Sequence, residues 1–189
     1  MAWNVSRRSV MRGSALGAAV AGLGIGHCVS AKTMRKIIVV EETDVSESRV
    51  FADTLVNSGC VTQVVRIDRS LNALLQGLEA TDGLLVGLTS DPAALIAEQI
   101  LVRSGARPLL NWTHQYRDMR WEHLTQGAPE LLAQASVGWP TVLAHQMQDA
   151  LVGDRQESAL KCASRRCGLD VKSPGMLVSW AFEVGEQPS

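Results

Sequence analysis

The sequence predicts an α/β domain built on a single open, mostly parallel, doubly wound sheet of about five strands. Two observations point there. Short β-branched apolar runs alternate with segments whose apolar residues recur at helical spacing, and most junctions hold a turn or cap signal. The clearest unit lies within residues 82–114: an apolar run over 83–88, a polar corner Thr89-Ser-Asp-Pro92, an amphipathic run to Ser104, then Gly105 and a second apolar run. A strand–helix–strand crossover of this kind joins parallel strands and needs a sheet covered on both faces.

Taken in order, residues 36–41 read as a buried first strand, Lys-Ile-Ile-Val-Val-Glu. Residues 46–58 place Val50, Phe51, Thr54 and Leu55 on one helical face, with Ser46 or Asp44 to cap the start and Gly59 to stop the end. Residues 62–68 alternate as a second strand, and Leu71, Leu74, Leu75 and Leu78 mark a short helix ending near Ala80. The third strand covers 83–88, and its helix opens with Asp91 as cap and Pro92 at the first helical position. Leu95, Ile96, Gln99 and Ile100 extend that helix to Gly105, and residues 107–112 form the fourth strand. Repeats this short favour an open sheet of flavodoxin-like or Rossmann-like kind over a closed barrel, with strand order 2-1-3-4. From Gln115 the pattern changes: a charged and aromatic loop over 118–124, a short helix over 129–135, and a longer helix opened by Pro140 with Val142, Leu143, Met147 and Leu151. Residues 176–182 read as a last strand that completes the sheet at an edge.

With 189 residues and 46% hydrophobic content, the chain can bury one respectable core. Its formal charge is −1, and the first 31 residues hold Arg7, Arg8 and Arg12 with no acid, so the remainder stands at −4. That balance disfavours nucleic acid and anionic membrane surfaces as partners. Four cysteines at irregular spacing do not make the framework of a small disulfide-rich module.

The amino terminus reads as an address. Ser6-Arg-Arg-Ser-Val-Met-Arg12 precedes a small-residue apolar run over 15–26 and then Val29-Ser30-Ala31, a small-x-small pattern suited to a signal peptidase. The apolar run is shorter than the roughly 20 residues of a membrane-spanning helix. The segment resembles the twin-arginine export signal, Ser/Thr-Arg-Arg-x-Phe-Leu-Lys: Ser6, Arg7 and Arg8 match, while Val10, Met11 and Arg12 depart conservatively. The resemblance implies recognition by the twin-arginine export machinery, cleavage after about Ala31, a periplasmic address and no stable membrane anchor thereafter. It also implies export in a folded state, often with a cofactor or a co-exported enzyme subunit, although no residue identifies a cofactor. The chain then divides into a signal over 1–31 and one α/β domain over 32–189. A lipid-attached reading of Cys28 fails because His27 stands where a small residue is needed.

In open parallel sheets ligands gather beyond the carboxyl ends of the strands. That rule selects Glu42 among the acids after the first strand, Thr89, Ser90 and Asp91 after the third, and His114 and Arg117 after the fourth. No Gly-x-Gly-x-x-Gly or Gly-x-x-x-x-Gly-Lys turn is present, and the acid-rich first loop repels phosphate, so a nucleotide held in the usual way is not expected. Thr89, Ser90 and Asp91 sit where helix N–H groups favour anions, although Ser-Asp-Pro is first of all what a capped helix start looks like. His114 is the candidate catalytic residue because it alone of the histidines falls at a strand end, and His145 lies within a helix. His114 and His123 are nine apart, a spacing that matches no tight ligand pattern, so no metal site is expected. No Gly-x-Ser-x-Gly elbow marks a serine hydrolase. Cys162 and Cys167, in a polar stretch of a chain bound for an oxidising compartment, are expected to pair, leaving Cys60 free.

Two readings of function follow. One is an exported domain that binds a small ligand or serves as accessory subunit to an exported enzyme; the alternative is an α/β enzyme that uses His114 with carboxylates at the strand ends.

Overall fold

A computed structural model describes residues 36–78, 82–125, 129–151, 158–161 and 172–185. The segment expected to be a twin-arginine signal, its expected cleavage site after about Ala31, and Cys162 and Cys167, expected to pair, lie outside the described residues. The elements are β1 (Ile37–Glu42), α1 (Ser46–Asn57), β2 (Val61–Ile67), α2 (Asn72–Gly77), β3 (Gly83–Ser90), α3 (Asp91–Arg103), β4 (Arg107–Arg117), β5 (Arg120–Thr125), α4 (Pro129–Ala135), a 3-10 turn (Ser136–Gly138), α5 (Trp139–Ala150), β6 (Ser158–Lys161) and β7 (Met176–Val184).

They build one open α/β sheet in the order β2-β1-β3-β7-β4-β5-β6. The expected 2-1-3 order is present, with β1 parallel to both β2 and β3. The rest differs from a mostly parallel sheet of about five strands. β7 runs antiparallel to both β3 and β4 and lies between them, so the expected edge strand is central. The remaining pairs, β4 with β5 and β5 with β6, are antiparallel as well, which makes the sheet mixed. Its physical reason lies in β7 itself: Leu177 to Phe182 are all buried, as a strand covered on both faces requires.

The fourth strand is also longer than expected. Trp112, His114 and Tyr116 alternate with Thr113, Gln115 and Arg117, and this period of two carries β4 on to a tight hairpin with β5. Asp118 and Met119 turn that corner with φ of 51° and 63°.

Two apolar layers cover the sheet. On one face α1, α4 and α5 pack over Val39, Val86, Leu88, Trp112, Trp121 and Leu177. On the other, α2 and α3 pack over Ile38, Val40, Leu85, Val178, Trp180 and Phe182. Helix starts and stops follow local chemistry. Gly59 and Gly105, with φ of 75° and 81°, terminate the chain turns after α1 and α3 where a left-handed residue is needed. Pro140 opens α5 as expected. The cap of α1 differs, being Val45 with no side-chain bond; Ser46 donates its hydroxyl to Glu47 instead. No helix among the described residues is long and apolar enough to cross a membrane.

Candidate functional site

The polar groups drawn from the sequence fall into three separate environments. At the upper end of β1, Glu42 turns its carboxylate to the start of α3: the Ser90 N–H donates to one oxygen at 2.7 Å and the Ser90 hydroxyl to the other at 2.9 Å. Ser48 in turn accepts the Glu42 backbone N–H at 2.8 Å. The α3 N-cap is therefore Ser90 rather than Asp91, with the anion-favouring end of the helix answered by Glu42 from within the chain. Asp91, the first residue of the helix, is exposed. Thr89 is fully buried on the other face, where its Oγ1 accepts the Trp180 indole N–H at 3.0 Å. Arg117 is exposed at the hairpin end of β4.

The third environment holds His114. It is not at a strand end but inside β4, fully buried, directly opposite His123 of β5. The two Nδ1 atoms are 2.9 Å apart, and the other nitrogen of His114 lies 2.9 Å from the Ser179 hydroxyl of β7. Trp139 of α5 closes over both rings, with centroids 4.9 Å from each, and Trp121 stacks on His123 at 6.4 Å. Burial holds both imidazoles neutral: desolvation drives His114 well below its ordinary 6.5, aided by His123, and takes His123 to about 4.

Neutral rings allow two proton patterns. In one, the Ser179 hydroxyl donates to His114 Nε2, His114 Nδ1–H donates to His123, and His123 carries its proton on Nε2. In the other, every donor and acceptor reverses. Either way His123 Nε2 has no hydrogen-bond partner among the described residues. A serine, a base and an orienting group in this sequence of contacts match the geometry of an activated nucleophile. Enclosure opposes that use, because Ser179 and His114 are both fully buried. No carboxylate is among the hydrogen-bond partners of His114, so the expected pairing with strand-end acids is absent at this site.

The register relates the two polar groups. Ser90 and His114 both pair with Leu177, so they stand level in the sheet with β7 between them, about 10 Å apart at usual strand spacing. Serine 179 and His123 were missed as site residues by sequence reasoning; only the alternation of Trp121, His123 and Thr125 could have put His123 beside His114. Among the described residues no group of three or more His, Cys, Asp or Glu side chains is placed to hold a metal.

Cys60, just before β2, is engaged in a disulfide rather than free, and its partner lies outside the described residues. Comparison with protein-family models, curated proteins and solved structures returns no match to the chain.

Proposed function

We propose that the mature chain is an exported periplasmic domain that binds a small polar ligand or serves as accessory subunit to an exported enzyme, and that the histidine pair supports the fold. The observation that favours this over an enzyme using His114 is its enclosure: both nitrogens are already engaged, by His123 and by Ser179, beneath Trp139. A general base has to reach the proton that it takes. The disulfide at Cys60 supports an oxidising address, and the 2-1-3 strand order with helices on both faces supports a variant of the flavodoxin-like layout in which the last strand, β7, is intercalated between β3 and β4.

The test is to isolate the protein from the periplasm and analyse it by native mass spectrometry. A bound small molecule or a second subunit is expected, with periplasmic delivery lost when Arg7 and Arg8 are replaced by Lys. Recovery of the bare chain alone, together with a hydrolytic activity that His114→Gln removes without disturbing the fold, would overturn the reading in favour of the enzyme.

A further inference from the structure

Helix α3 has one buried apolar face and, on its outward side, a stripe that exposes two aliphatic side chains. Ala93, Ala94, Ala97 and Leu101 are buried against the sheet, as an amphipathic helix requires. Facing away, Pro92, Leu95, Gln99 and Val102 are all exposed, Leu95 at 56% and Val102 at 51%. The spacing of these four is three, four and three, the a-d-a-d repeat of a coiled-coil seam. Leucine and valine fall at the two d positions of that repeat, one heptad apart on the same outward stripe.

The residues beside the seam indicate what covers it. With Pro92 and Gln99 as a positions and Leu95 and Val102 as d positions, Glu98 falls at g and Arg103 at the following e. In a parallel pair of helices, g of one chain meets the next e of the other. Glu98 and Arg103 have no ion-pair partner among the described residues, so each is available. An antiparallel pairing would instead bring Glu98 towards its own copy, acid against acid.

We propose that α3 forms a parallel, two-fold homodimer seam in which Leu95 and Val102 pack on their copies, Gln99 meets Gln99 of the partner, and Glu98 pairs with Arg103 across both flanks. The central glutamine layer fixes register at some loss of affinity, as polar a positions do. A helix of 13 residues is about 20 Å long. That is short of a standard interface, so the dimer is weak and dissociates in the micromolar range.

Sedimentation velocity on the purified chain, from low micromolar to hundreds of micromolar, tests this. A concentration-dependent dimer is expected, and Leu95→Glu or Val102→Glu should leave a monomer with unchanged near-UV circular dichroism, since both side chains point outward. E98R alone and R103E alone should each weaken association roughly tenfold, and the two together should restore it. A wild-type monomer throughout the range overturns the proposal. So does a dimer indifferent to the Leu95 and Val102 variants, or one whose single charge reversals are not rescued by the double variant.

Discussion

His114 and His123 face each other across a β4–β5 pair with their Nδ1 atoms 2.9 Å apart, sealed beneath Trp139. The arrangement tolerates neutral rings and resists a proton. Above about pH 6.5 both states of the chain keep these rings mostly neutral and stability is at its full value. As pH falls from 6.5 towards 4, the unfolded chain binds protons that folded His123 refuses, so stability declines through that window. His123 alone accounts for on the order of 3 kcal/mol by the end of it, and His114 acts in the same direction. Urea unfolding across this range should show a slope that His123→Leu flattens; equal slopes in the two proteins would contradict the assignment.

Ser179 gives His114 its second hydrogen bond. Ser179→Ala leaves a buried ring nitrogen without a partner and should cost about 1–3 kcal/mol. Thermal unfolding measures the loss, and a neutral result would mean that water replaces the hydroxyl.

Glu42 accepts both donors of Ser90 at the start of α3. Glu42→Ala should therefore cost about 1–2 kcal/mol and speed amide hydrogen exchange in the first turn of α3. The prediction is local: protection in α5 should stay unchanged.

Gly87 lies under the Trp180 ring, where an added Cβ would come within 2.6 Å of Cζ2. The indole cannot easily yield, because its N–H is held by Thr89. Gly87→Ala should destabilise by about 1–3 kcal/mol, with a change in tryptophan emission as the ring is displaced.

Much of the first half of this fold is legible in its sequence, for local reasons. Gly59, Gly105, Pro92 and Pro140 mark helix ends through their own backbone preferences, and Ile37–Val40 announce a strand by their branching. The second half depends on contacts distant in sequence. Nothing near Met176–Val184 states that its neighbours are β3 and β4, and a run buried on both faces suits a central strand as well as the edge expected of it. The hairpin was hidden differently. Thr113, Gln115 and Glu122 alternate with His114, Tyr116, Trp121 and His123, and polar residues in both rows obscure which row is the inner one. With β4 read as ending at Trp112, His114 became a strand-end residue open to ligands. Its burial follows from five more residues of strand.

The position of β7 has a consequence for synthesis. By the time a ribosome has delivered β1 to β4, the sheet still lacks the strand that joins its parallel part to the hairpin. Both β3 and β4 must therefore present unsatisfied backbone to the surroundings until Met176–Val184 emerges, a delay during which a nascent chain is open to association with others. Closure is a late event here, and a chaperone that shields extended segments would have its greatest effect on this protein during that interval.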